Sequence, residues 1–89
     1  MAGQIAQGGS PKNVTATAVI FTTPGTLIGF YVNSTSSGTL VLRDGGASGT
    51  ALSGTITPAI GFHCFPAGFN TNLHATIAST LDVTFFYQP

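Results

Sequence analysis

The chain has 89 residues and no net charge at pH 7, with 4% charged and 43% hydrophobic residues. Two basic residues cannot neutralise a run of phosphates, which argues against nucleic-acid binding, and no apolar run is long enough for a membrane-spanning helix. One cysteine excludes an internal disulfide, so we expect so small a domain to gain stability by forming a homo-oligomer.

The first 13 residues are rich in Gly, Gln and Ala and show no apolar alternation. They predict an extended N-terminal arm, residues 1–13, before a single domain of residues 14–89. Within this arm, Ile5 and Pro11 are candidate contacts to a neighbouring subunit. The arm lacks the charged and apolar regions of a secretory signal, so we interpret the sequons at Asn13 and Asn33 as chance matches.

From residue 14 onward, short runs of Thr, Val, Ile, Leu and Phe alternate with clusters of Gly, Pro, Asn and Ser. This pattern is typical of strands separated by turns. It predicts an all-β fold, a small antiparallel β-sandwich or jelly-roll-like barrel of about seven strands, with almost no α-helix. The predicted strands are 14–22, 26–33, 39–44, 51–56, 62–65, 72–78 and 81–87.

The predicted strands differ in the pattern of their apolar residues. Residues 14–22, 39–44 and 72–78 alternate, which indicates one buried face. Residues 26–33 are apolar almost throughout and indicate a strand buried on both faces. The short strand 62–65 is expected to stop at Pro66.

The strongest candidate for a catalytic site combines Cys64 with His63 or His74 and Asp82. His63 and Cys64 are adjacent on a strand, so their side chains point to opposite faces and cannot pair. His74 needs a specific fold to reach Cys64, and no glycine-rich elbow precedes the cysteine. We therefore interpret Cys64 as a small core residue and expect no enzymatic activity.

The few remaining charged and glycine-rich positions also have structural interpretations. Asp44 begins an Asp-Gly-Gly turn, and Asp82 is expected to face solvent or to pair with Arg43. The glycine-rich residues 45–49 lack the Lys-Ser/Thr that ends a phosphate-binding loop. We expect no cofactor and no metal site, since the chain offers few ligating side chains.

The aromatic residues are interpreted as core or contact residues, because most lie within predicted strands. Four of them join Ile5 and Pro11 as candidate subunit or capsid contacts: Tyr31, Phe69, Phe86 and Tyr87. A carbohydrate-binding surface needs exposed aromatic residues beside Asp, Asn or Arg. That interpretation stays open for Tyr31 and Phe69.

Several segments between Gly29 and Tyr87 carry a resemblance to a known group of proteins. They are Phe30-Tyr31-Val32-Asn33, Thr39-Leu40-Val41-Leu42-Arg43-Asp44-Gly45-Gly46, Ser48-Gly49-Thr50, Phe65-Pro66-Ala67-Gly68 and Asp82-Val83-Thr84-Phe85-Phe86-Tyr87. This stretch resembles small β-sandwich structural proteins of tailed bacteriophages. The resemblance implies a non-catalytic capsid decoration (cement) or head-fibre type of protein in the virion.

A cement protein stabilises the phage head by bridging capsid subunits, and it is assembled in the host cytoplasm. The resemblance thus implies the major capsid protein and copies of the chain itself, as a homotrimer, for partners. The alternative is a tail- or fibre-associated receptor- or carbohydrate-binding module. An ice-binding protein with a regular threonine array is a third hypothesis, based on Thr15, Thr17, Thr55 and Thr57.

Overall fold

The computed structural model describes residues 10–88, which form an antiparallel all-β structure without a helix. The all-β prediction is confirmed. Within these residues, one sheet contains six strands. They are β1 (Ser10–Val14), β2 (Ala18–Phe21), β3 (Gly25–Asp44), β4 (Thr50–Ala51), β5 (Gly61–Phe69) and β6 (Leu73–Gln88).

Two long strands, β3 with 20 residues and β6 with 16 residues, pair along their whole length. Each joins two strands that the sequence predicted as separate. The polar segment 34–38 lies between two of the predicted strands, yet most of its residues pair with β6. Its residues are polar because most of them are exposed, not because the strand ends there.

The sheet bends where β3 and β6 pass through residues 36–38 and 78–80. The register shifts between Ser36 and Ser37, and both Ser37 (φ 56°) and Ser79 (φ 62°) have left-handed backbone conformations. A methyl group at Gly38 would collide with the carbonyl oxygen of Thr80 and lie 2.7 Å from Cβ of Leu81. The bend therefore needs glycine at this position.

The bend divides the sheet into two arms. The first arm consists of β1, the first half of β3, β5 and the second half of β6. The second arm consists of β2, the second half of β3, β4 and the first half of β6. Thr17, between β1 and β2, binds β6 at Ile77, next to the bend. Its Oγ1 donates to the carbonyl of Ile77 at 3.1 Å and accepts from the amide of Ile77 at 2.9 Å.

The inner faces of both arms contribute to one hydrophobic core. Phe21 of the second arm contacts Tyr87 and Phe69 of the first arm, with ring centroids 4.5 and 6.3 Å apart. Each buried Leu, Val or Phe contributes about 1.5–3 kcal/mol. The largest fully buried side chains are Phe30, Phe85, Leu27, Leu40, Leu42, Leu73, Leu81, Val32 and Val83.

Three details differ from the sequence-based prediction. The apolar run 26–33 is not buried on both faces, since Tyr31 is 43% exposed. β5 continues through Pro66 to Phe69, because within residues 10–88 it pairs only with β3 and its free edge tolerates proline. Residues 10–13, the end of the predicted arm, form most of strand β1, which pairs with β6.

Candidate functional site

The outer face of the first arm exposes aromatic side chains. Tyr31 on β3 is 43% exposed and Phe62 on β5 is 53% exposed, and the two residues are direct cross-strand partners. Phe86 on β6 is half-buried, with its ring centroid 6.3 Å from that of Phe62. We call Tyr31, Phe62 and Phe86 the aromatic patch. Because exposed apolar residues cluster here, we treat the aromatic patch as a candidate interaction site.

A glycine shapes the centre of the aromatic patch. Gly29 on β3 pairs with Phe86 on one side and Cys64 on the other. A methyl group at Gly29 would lie 2.8 Å from Cζ of Phe62 and would collide with the carbonyl oxygen of His63. The missing side chain thus leaves room for the Phe62 ring to lie across β3, towards Phe86.

Four polar side chains form a hydrogen-bonded group on the same face. Asn13 Nδ2 donates to Asp82 Oδ1 at 2.7 Å and to Thr84 Oγ1 at 3.1 Å. Asn33 Nδ2 donates to the same two atoms at 3.3 and 3.0 Å. We call Asn13, Asn33, Asp82 and Thr84 the amide cluster. Each of these bonds uses an amide nitrogen as donor, so among residues 10–88 both amide oxygens are left to accept further hydrogen bonds.

The amide cluster and the aromatic patch are adjacent. Thr84 is the cross-strand partner of Asn13 on one side and Tyr31 on the other, and Tyr31 is the partner of Phe62. These four residues form one row across the four strands of the first arm. Directly opposed side chains in such a row have Cβ atoms about 5 Å apart, so a single ligand can contact both groups.

Some of the contact residues predicted from the sequence lie together on this face. Tyr31 and Phe86 belong to the aromatic patch, and exposed Pro11 is the cross-strand partner of Phe86. Ile5 lies outside the described residues.

The other two predicted contacts lie on the inner side of the first arm. Phe69 is only 2% exposed and belongs to the core, so its side chain offers no surface to a partner. Tyr87 is half-buried against Phe21. Both residues alternate with outward-facing positions on their strands, which places them inside.

Phe62 and the amide cluster were not predicted as contact residues from the sequence. Alternation along β5 places Phe62 on the face opposite Phe65, which packs against the core. This alternation is present in the sequence, but the predicted strand 62–65 is too short to show it clearly. The hydrogen bonds of the amide cluster join residues 49 to 71 positions apart in the chain, and no local sequence pattern reports such a contact.

The predicted catalytic candidates are dispersed. Cys64 is exposed on the outer face of the first arm, so its interpretation as a core residue is wrong. His63 stacks on Phe30 of the core at 5.2 Å. His74 lies in the second arm, 6% exposed, where burial and the nearby Arg43 lower its pKa. The structure therefore brings neither histidine together with Cys64.

The two aspartates have separate surroundings. Asp44 accepts backbone N–H groups of Asn70, Thr71 and Asn72 at 2.7, 2.9 and 3.3 Å, and these bonds lower its pKa. The Asp44 carboxylate thus binds the loop between β5 and β6 rather than only its own turn.

Asp82 belongs to the first arm, whereas Arg43 belongs to the second arm and donates to the carbonyl of Gly49 at 3.4 Å. The expected Asp82–Arg43 pair is therefore not formed. Within residues 10–88, no group of three or more His, Cys, Asp or Glu side chains is placed to hold a metal ion.

The threonines of the ice-binding hypothesis do not share a strand. Thr15 and Thr17 lie between β1 and β2, and Thr55 and Thr57 lie between β4 and β5. A regular array needs threonines on flat neighbouring strands, which these positions do not provide.

No helix in the described part of the chain is long and apolar enough to cross a membrane. Comparisons with protein-family models, curated proteins and solved structures gave no match. The resemblance to structural proteins of tailed bacteriophages therefore stays a prediction.

Proposed function

We propose that this chain is a non-catalytic structural protein of a virus particle that decorates the capsid and stabilises it by bridging capsid subunits. The observation that carries the proposal is exposed apolar surface on a chain with very little charge. Val19, Tyr31, Ile60 and Phe62 are 41–64% exposed, while only 4% of the residues are charged. A free soluble domain usually has about 25% charged residues.

Low charge suits a protein whose surface is covered in an assembly. The cores of protein interfaces are depleted in Lys, Glu and Asp. Buried apolar surface stabilises such an interface by about 25 cal/mol per Å², and salt does not screen this contribution. Attachment to a capsid through apolar contacts is therefore expected to persist at high ionic strength.

The strand edges of the first arm favour contacts through side chains over extension of the sheet. Within residues 10–88, β1 pairs only with β6 and β5 pairs only with β3, so each has one free edge. β1 contains Pro11 and β5 contains Pro66. Proline has no N–H to donate to an added strand, so it disfavours sheet extension there.

The exposed apolar residues fall into two groups. Tyr31 and Phe62 adjoin the amide cluster. An apolar protein surface that covered them would also remove water from the polar atoms of the amide cluster, which costs free energy. Val19, on β2 of the second arm, and Ile60, before β5, are outside the aromatic patch. We assign Val19 and Ile60 to the capsid contact, in place of Tyr31 and Phe86, the contacts predicted from the sequence.

The experiment measures binding of the purified chain to particles that lack it. We expect a fixed copy number per particle, unchanged between about 0.1 and 1 M salt. The double variant Val19→Ser/Ile60→Ser is expected to bind more weakly, because it removes apolar contact area. Tyr31→Ser, which is matched to Val19→Ser in exposure, serves as the control and is expected to retain binding.

Absence of binding to such particles at either salt concentration would contradict the proposed function. Light scattering of the free chain tests the associated proposal that copies of it form a homotrimer. A stable monomer at all concentrations would contradict the proposed homotrimer.

A further inference from the structure

We propose that the outer face of the first arm binds a neutral oligosaccharide. In this site the aromatic patch packs against the C–H face of a sugar ring, and the amide cluster hydrogen-bonds its hydroxyl groups. The inference goes beyond the proposed function, because it concerns residues other than Val19 and Ile60 and does not require a capsid.

The chemistry of the face matches both sides of a sugar. A pyranose ring has an apolar face of C–H groups and a rim of hydroxyl groups, and it therefore needs apolar and polar partners close together. Tyr31 and Phe62 provide exposed aromatic surface. Thr84, the direct neighbour of Tyr31, joins them to Asn13 and Asn33. Ligand sites combine largely apolar walls with a few placed polar groups in this way.

The hydrogen bonds of the amide cluster leave acceptors for a ligand. Asp82 Oδ1 and Thr84 Oγ1 each accept from both asparagine side chains, which holds the two amides in place. The asparagine residues are exposed, and their amide oxygens are not used in these bonds. Sugar hydroxyl groups are hydrogen-bond donors, so they can satisfy these oxygens on binding.

The charge of the face favours a neutral ligand. Asp82 is the one charged residue of the amide cluster, and two amide groups already donate to it. An anionic sugar would meet this carboxylate with no cation in the amide cluster or the aromatic patch to compensate it. A strongly cationic ligand would have only a single carboxylate to pair with.

The size of the face favours a small ligand over a second copy of the chain. Four strands about 4.8 Å apart and about seven residues long present a face of roughly 350 Å². A stable protein interface needs about 800 Å² from each partner. The first arm alone therefore offers less than half of what a stable dimer requires, whereas a short oligosaccharide needs no more than this face.

The test is a titration of the full chain, followed by NMR, with cellohexaose, maltohexaose and chitohexaose as neutral probes and with sialyllactose as the anionic comparison. We expect saturable binding of at least one neutral probe, with shift changes confined to the first arm, and no binding of sialyllactose. Tyr31→Ala and Asn33→Ala are each expected to weaken binding about tenfold, which corresponds to about 1.4 kcal/mol.

Val19→Ser is the matched control and is expected to bind the sugar as the unmodified chain does, since Val19 is 41% exposed on the second arm. Thermal unfolding of each variant separates loss of the site from loss of the fold. Failure of all three neutral probes to bind at millimolar concentration would overturn the inference, as would full binding by Tyr31→Ala. Neither result affects the particle-binding assay, in which binding is expected to depend on Val19 and Ile60 and to be retained by a Tyr31 variant.

Discussion

The outer faces of the two arms differ, although their inner faces share one core. In the first arm, a row of Asn13, Thr84, Tyr31 and Phe62 crosses four strands. Tyr31, in the middle of this row, is 43% exposed. The first arm therefore presents both aromatic and polar groups to the surroundings.

The corresponding row of the second arm consists of Val19, His74, Arg43 and Ala51. His74, at its centre, is only 6% exposed, and its Nδ1 lies 3.4 Å from Thr76 Oγ1. Arg43 is half-buried, whereas Val19 and Ala51 at the two ends of the row are exposed, and Val19 is its exposed large apolar residue. Burial in the shared core therefore dictates the residues of the inner faces, whereas the residues of the two outer faces are free to differ.

The largest expected effect is a difference in stability between variants at two consecutive residues, one on the inner face and one on the outer face of the first arm. Phe85 is fully buried, and Phe86 is half-buried on the outer face. Phe85→Ala is expected to lower the free energy of unfolding by about 3–5 kcal/mol, because it leaves a cavity in the core. Phe86→Ala should cost less than half as much. Equal losses in urea unfolding would contradict the assignment of faces.

A smaller effect is expected at the bend that creates the two arms. Gly38→Ala forces a methyl group against the backbone of Thr80, and we expect a loss of about 1–3 kcal/mol, as for other overpacked sites. Gly54→Ala is the matched control, since a methyl group there meets nothing within 4 Å. Denaturant unfolding measures both variants, and an unchanged stability of Gly38→Ala would show that the bend adjusts freely.

The smallest effect concerns Asp44, which joins the end of the second arm to the loop after β5. Its pKa is lowered from the ordinary value of 3.8 by three backbone N–H groups. Because the folded form favours the ionised carboxylate, the stabilisation is present above pH 3.8 and is lost as the pH falls through the lowered folded pKa. Asp44→Asn is expected to remove this dependence, so its unfolding midpoint should fall less steeply below pH 4. Parallel pH profiles for both proteins would rule out the carboxylate as the cause.

Part of the fold and of the site was accessible from sequence because the information is local. Alternation along predicted strands and Gly/Pro turn signals predicted an all-β chain. The sequence also selected Tyr31 and Phe86 as surface contacts, and both lie on the outer face of the first arm. Phe69 was selected by the same reasoning but is buried, because aromatic residues serve equally well in cores and interfaces.

The amino-acid sequence by itself determined the low charge, the β-strand class and the inward-facing apolar positions, since each depends on composition or on neighbours along the chain. Tertiary structure decided that 34–38 continues a strand, that Gly38 allows the bend, and that Asn13, Asn33, Asp82 and Thr84 meet on one face. These features arise from pairing between residues far apart in the chain. Strand register sets such pairing, and no short window of sequence contains it.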